Sequence, residues 1–174
     1  EMKKIVLAII VGIIPLVLPA ASTDFWFRHF SVEDGLSSNS VRAIMQDKYG
    51  FMWLGTDDGL NRYDGTTIKI YRLNPEGVND YISFLYDTTD RIWIGTGDGV
   101  YIYDYETENF EPFKLLTAKG DSIKTNVNHI AEDRDGNLWF STVGQGIFKY
   151  NVSKHYLERY EFKDADGLMA SVLI

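Results

Sequence analysis

Cysteine is absent from all 174 residues. Disulfides, thiolate metal sites and thiol catalysis are therefore excluded, and so is a lipid-anchor cysteine after a leader. Basic charge is scarce: 17 Lys and Arg face 25 Asp and Glu, a net charge of −8. The only basic run is the pair Lys3-Lys4. A nucleic-acid binder needs clustered cations to displace phosphate counterions, so no nucleic-acid contact is expected. A membrane-spanning run is missing too. Ile5 to Leu18 is an apolar run of 14 residues, short of the roughly 20 that a spanning helix needs. Aromatics, in contrast, are plentiful at 14%, within 45% hydrophobic residues. That content supports a packed core, and flat rings favour a pleated surface.

The start of the chain has its own logic. Lys3 and Lys4, the run Ile5–Leu18 and Pro19-Ala20-Ala21 follow one another. A basic start, a short apolar stretch and small residues at its end describe a secretory signal peptide. Residues 1–21 are read as that leader, with cleavage near Ala20 or Ala21.

The rest repeats itself. Val41-Arg-Ala-Ile-Met-Gln-Asp47, Phe51-Met-Trp53-Leu-Gly55-Thr-Asp-Asp58-Gly59 and Arg62-Tyr63-Asp64 form the first copy. Tyr81 to Asp87, Ile92-Trp93-Ile-Gly95-Thr-Gly-Asp98-Gly99 and Ile102-Tyr103-Asp104 form the second. Val127 to Asp133, Leu138-Trp139-Phe-Ser141-Thr, Gly146 and Lys149-Tyr150-Asn151 form the third. Asp47, Asp87 and Asp133 are matched as turn-forming residues, since Asp bonds its own backbone there. Asp58-Gly59 and Asp98-Gly99 are hairpin signals, replaced by Gln145-Gly146 in the third copy. Ile68–Tyr71, Phe110–Phe113 and Tyr156–Tyr160 suit an outer edge strand, with Pro112 tolerated only at an edge.

Four antiparallel strands in each unit of about 40–45 residues is the arithmetic of a β-propeller. A β-sandwich does not require one Trp cassette three times. The predicted fold class is therefore all-β, with three complete blades of an incomplete ring at about 37–75, 76–117 and 122–162. A fourth begins at 166–174, all within a domain of residues 22–174. The structural repeat positions are Trp53, Trp93 and Trp139, Gly59, Gly99 and Gly146, and Tyr63, Tyr103 and Tyr150. The tryptophans are expected to be largely buried. The lead-in Phe30…Asp34-Gly35-Leu36 recurs as Phe162…Asp166-Gly167-Leu168 at an offset of 132. Phe25–Phe30 is thus expected to be an outer strand without a blade of its own, and the chain a fragment of a longer protein.

The cassette Trp53-Leu-Gly-Thr-Asp-Asp-Gly-Leu-Asn-Arg-Tyr-Asp64, its second copy and the lead-in resemble the two-component regulator propeller repeat. The resemblance runs from about Phe25 to Ile174. It implies the periplasmic sensor region of a hybrid histidine kinase, typically from gut Bacteroidetes. It further implies an oligosaccharide ligand, an inner-membrane anchor, a kinase located elsewhere, and as partners the rest of the propeller and receptor and a homodimer of the receptor.

The polar residues offer little chemistry. Gly95-Thr-Gly-Asp-Gly99 lacks the Lys and following helix of a phosphate loop. Asp133-Arg-Asp135-Gly136-Asn137 places its glycine fourth and Gly144 twelfth, unlike a calcium loop. His29, His129 and His155 have no zinc spacing. No cofactor, metal or catalytic residue is expected, and the ligand-binding residues are unknown. Tyr81, Tyr86, Tyr101 and Tyr105 are weak sugar-stacking candidates against a role between blades, and Arg42, Arg62 and Arg72 a local basic patch. The expectation is a periplasmic ligand-sensing segment. The alternative is a secreted propeller used for binding or lyase chemistry.

Overall fold

A computed structural model describes residues 27–73 and 80–161. The expected leader (1–21), the fourth-blade start (166–174) and both Phe25 and Phe162 lie outside the described residues. Three four-stranded antiparallel sheets follow one another along the chain. Blade 1 holds β1 (Val41–Gln46), β2 (Met52–Thr56), β3 (Gly59–Tyr63) and β4 (Ile68–Tyr71). Blade 2 holds β5 (Ile82–Asp87), β6 (Arg91–Thr96), β7 (Gly99–Asp104) and β8 (Asn109–Pro112). Blade 3 holds β9 (Val127–Glu132), β10 (Leu138–Thr142), β11 (Gly146–Asn151) and β12 (Tyr156–Tyr160). Each strand pairs with its neighbour in sequence, and β1, β5 and β9 lie side by side as the inner strands.

Burial follows this order. β6 is buried from Ile92 to Thr96, whereas β4 and β8 are largely exposed or half-buried. A central strand covered on both faces reads as a continuous apolar run, not as an alternation. The blades are welded by aromatic clusters. Trp53, fully buried, meets Tyr71 of its own blade at 5.8 Å and Tyr103 of the next at 5.1 Å. Trp93 likewise meets Phe113 at 5.3 Å and Tyr150 at 5.7 Å. Burying such a ring contributes a few kcal/mol, and aromatic pairs add about 0.5–1.5 kcal/mol.

Trp139 departs from the expected burial. It is only half-buried, because its aromatic contact among the described residues is with Tyr160 of its own blade, at 5.6 Å, under the Lys149 ammonium. Tyr63 is half-buried as well, whereas Tyr103 and Tyr150 are buried.

A second correction concerns Asp87. Val41 pairs with Thr56 and Val127 with Thr142, but it is Ile82, not Tyr81, that pairs with Thr96. The first turn of blade 2 is one residue shorter, so Asp87 ends a strand where Asp47 and Asp133 open a turn. Asp47 accepts the backbone N–H groups of Tyr49 and Phe51 and the Trp53 indole N–H at 2.7 Å. Asp133 accepts the Trp139 indole at 2.9 Å. Asp87 instead accepts the Tyr105 hydroxyl at 2.9 Å.

The lead-in is the third correction. Phe27–Phe30 forms no strand. Phe30 instead packs edge-on against Tyr63 at 4.9 Å, and a 3₁₀ turn (Val32–Asp34) capped by Ser31 follows.

Candidate ligand face

The sheets present two rims. One carries the β2–β3, β6–β7 and β10–β11 hairpins and the segments that lead into β5 and β9. The cassette threonine closes each hairpin: Thr56, Thr96 and Thr142 donate to the carbonyls of Gly59, Gly99 and Gly146 at 3.0, 3.0 and 2.6 Å. Glycine is required at Gly146, where φ is +82° and a Cβ would lie 2.4 Å from the Tyr160 carbonyl oxygen.

On blade 1 this rim is a ridge of ion pairs. Arg42 grips Asp57 with two bonds, of 2.7 and 3.2 Å, and lies over the Tyr81 ring. Arg42, then Ser40, hold the Asp57 carboxyl below its usual range. Arg72 grips Asp58, with Nη2–Oδ2 at 2.9 Å. Arg62 is elsewhere, lying over the Phe51, Trp53 and Tyr71 rings. The expected basic patch is therefore absent from these three residues: two arginines are neutralised by hairpin aspartates, and the third caps an aromatic cluster.

Next to the ridge, between blades 2 and 3, lies a cleft of about 340 Å³. Asp98, Tyr101, Phe113, Ser122, Ile123 and Lys124 line it. Gln145 fixes its far wall: its Oε1 accepts the Lys124 backbone N–H at 2.9 Å, and its Nε2 donates to the Ser122 carbonyl at 3.3 Å. Tyr101 is half-buried, and burial first, then Asp98 and Asp80, push its phenol above the usual range. It therefore stays a neutral hydroxyl. The Ser122 hydroxyl is buried and lacks a hydrogen-bond partner among the described residues. A buried polar group left unmade costs about 1–3 kcal/mol. An aromatic face with a carboxylate, an ammonium and hydroxyls around it suits a neutral, hydroxyl-rich molecule.

The opposite rim spends its polar groups on itself. Tyr86 donates to Glu132 at 3.3 Å and Tyr105 to Asp87. The Lys48 ammonium lies 4.4 Å from the Tyr105 ring centre and donates to the Thr89 carbonyl. The structure thus divides the four candidate tyrosines: Tyr81 and Tyr101 on the hairpin rim, Tyr86 and Tyr105 on the other. The histidines are apart: His29 is exposed, His129 packs on Phe84 at 4.4 Å, and His155 meets the Tyr150 hydroxyl at 2.8 Å. Asp133 takes N–H donors from Asp135, Asn137 and Trp139, which makes it a turn anchor. Sequence reasoning missed Asp98, Ser122 and Lys124, since an unpartnered hydroxyl leaves no mark in a sequence.

A family profile described as "Two component regulator propeller" matches residues 35–58 and 122–144, which run through the first two strands of blades 1 and 3. The chain carries the two-component regulator propeller repeat in blades 1 and 3. The extracellular domain of the hybrid two-component system BT3049 from B. thetaiotaomicron resembles this propeller at 30% identity and a TM-score of 0.68, over 76% of this chain and 20% of that one. Histidine kinase P4 of Formosa agariphila is 50% identical over 68 residues, 39% of this chain and 5% of the kinase. The chain thus spans only a small part of either relative. Virginiamycin B lyase from Staphylococcus aureus shares the propeller fold alone, at 14% identity and a TM-score of 0.55 over 72% of this chain and 42% of the lyase.

Proposed function

We propose that this propeller segment recognises a ligand outside the cytoplasm as part of a two-component sensor, and that the ligand is a neutral oligosaccharide. The observation that carries this reading is the cleft of Asp98, Tyr101, Ser122 and Lys124, which sets an aromatic ring beside a carboxylate and an ammonium. The extracellular domain of BT3049, to which the chain is similar, supports the location. Among the described residues no helix is long and apolar enough to cross a membrane. The reading is non-enzymatic: the blade 1 carboxylates Asp57 and Asp58 are tied to arginines, and Asp98 in the cleft accepts the Thr96 hydroxyl at 2.7 Å. Binding would act by favouring one of two receptor states, which requires different affinity for the two.

The test is calorimetry against a panel of neutral and acidic oligosaccharides, with product analysis of the same samples. Binding of a neutral member is expected, weakened at least tenfold by Tyr101→Ala, about 1.4 kcal/mol or more. Binding that Tyr101→Ala leaves unchanged would refute the site. Turnover of any panel member, abolished by a substitution in the cleft, would overturn the non-enzyme reading.

A further inference from the structure

Two gaps between blades open on the rim opposite the hairpins, and they are finished differently. Between blades 1 and 2 the gap is filled. Tyr49, in the β1–β2 turn, packs on Tyr105, just past β7, at 5.2 Å. The Lys48 ammonium lies over the same ring and donates to the Thr89 carbonyl. Between blades 2 and 3 neither filler is present. The β5–β6 turn is shorter and offers Thr88 and Thr89 in place of Lys48 and Tyr49. Val152 stands two residues past Tyr150, as Tyr105 stands past Tyr103, and is 48% exposed. What remains is a cleft of about 480 Å³, wider than the one on the hairpin rim, and both of its walls belong to described blades of this chain.

The lining of this cleft is charged more than aromatic. Trp93 and Tyr150 belong to it but are buried, so they offer a sugar ring little face to stack on, unlike the half-buried Tyr101. Arg91, Glu132 and His155 line it as well. The Arg91 side chain, 38% exposed, pairs with the more exposed Asp90 at 3.1 Å, and an ion pair so open to water holds weakly. The Tyr150 hydroxyl joins the two cationic residues: it meets His155 Nδ1 at 2.8 Å, and burial pushes its phenol up while nearby Arg91 opposes that. Blade 2 has Glu108 at the place of His155, both at a φ of +54°. Blade 3 thus sets an imidazole where blade 2 sets a carboxylate. Glu132 is exposed and accepts the Tyr86 hydroxyl on one oxygen, which leaves the other for a ligand. A guanidinium with an imidazole beside it suits a carboxylate, and a carboxylate in the same cleft suits an ammonium.

We propose that this cleft is a second binding site and that it takes a free α-amino acid. Arg91 holds the carboxylate of the amino acid in place of Asp90, with His155 beside it. Glu132 holds the ammonium. The site is separate from the hairpin-rim cleft and does not rest on the sugar reading.

An NMR titration of the full chain tests this, with the Trp93 indole, which lines the cleft, as reporter. The probes are L-alanine, L-glutamate and L-lysine, with acetate, methylamine and glucose as counterparts that lack one or both charges. At least one amino acid is expected to bind, at least about tenfold more tightly than any counterpart. Arg91→Gln and Glu132→Gln are each expected to weaken that binding at least about tenfold. Val152→Tyr supplies the ring that Tyr105 supplies in the other gap, at a residue exposed enough to accept it. It is expected to abolish binding with no fall in melting temperature. Binding of none of the three amino acids, a counterpart that matches them, or binding that persists in Arg91→Gln or in folded Val152→Tyr overturns the proposal.

Discussion

Trp53→Ala is the sharpest test of how the blades are joined. The indole is fully buried, touches rings from both blades and donates to Asp47 at 2.7 Å. Truncating a buried Trp to Ala costs about 3–5 kcal/mol. Asp47 is itself buried and loses one of its donors, which adds up to about 1–3 kcal/mol, reduced because Tyr49 and Phe51 still donate to it. Native domains hold only about 5–15 kcal/mol in all, so this single change removes a large part of the stability. Trp139→Ala removes the same side chain from a half-buried place and is expected to cost about half as much. Urea unfolding followed by far-UV circular dichroism, extrapolated linearly to water, compares the two. Trp53→Phe keeps a ring but loses the donor and part of the buried surface, so its cost is expected to be smaller than that of Trp53→Ala. Equal losses for Trp53→Ala and Trp139→Ala, or a loss under about 1 kcal/mol for Trp53→Ala, would refute the argument that stability resides between blades rather than within them.

Two further outcomes are expected. Gly146→Ala should destabilise by more than the roughly 1–3 kcal/mol of left-handed strain alone, because its Cβ would strike the Tyr160 carbonyl. Gly144→Ala, at φ +77° with nothing within 4 Å, should show the strain only, and thermal melts of both variants check the difference. Asp133 has its carboxyl held well below the ordinary range, chiefly by the Trp139 indole and then by Asn137. Its contribution is therefore complete above the unfolded carboxylate value of about 3.9 and is lost as pH falls through the lower folded value. Asp133→Asn should lower stability at neutral pH and flatten the loss below about pH 4, as read from denaturation midpoints across pH.

The repeat was legible because its features obey short-range rules. Trp53-x-Gly-Thr and Asp58-Gly59 encode a central strand and a hairpin through local turn chemistry. What was not legible depends on which residues meet across blades. A constant spacing to Trp93 made Asp87 look like Asp47, and only strand pairing shows the missing turn residue. The half-burial of Trp139 reflects its place in the array, since its cassette is nearly that of Trp53. The four tyrosines look alike in sequence, and the direction of each strand assigns them to different rims. Arg42 and Arg72 sit 30 residues apart, and their pairing with adjacent hairpin aspartates follows from β1 lying beside β2 and from the return of β4 beside β3.

The aromatic clusters also set an order of assembly. Every strand pairs with its neighbour in sequence, so each sheet can form from local contacts, which favours fast folding. Yet Trp53 is covered only when Tyr103, fifty residues later, is in place, and Trp93 waits for Tyr150. A chain fed out from its N-terminus would therefore carry one uncovered indole at its growing end, passed from blade to blade. Each newly made sheet seals the one before it, so an interruption at any point exposes a single sticky face and leaves the finished blades closed behind it.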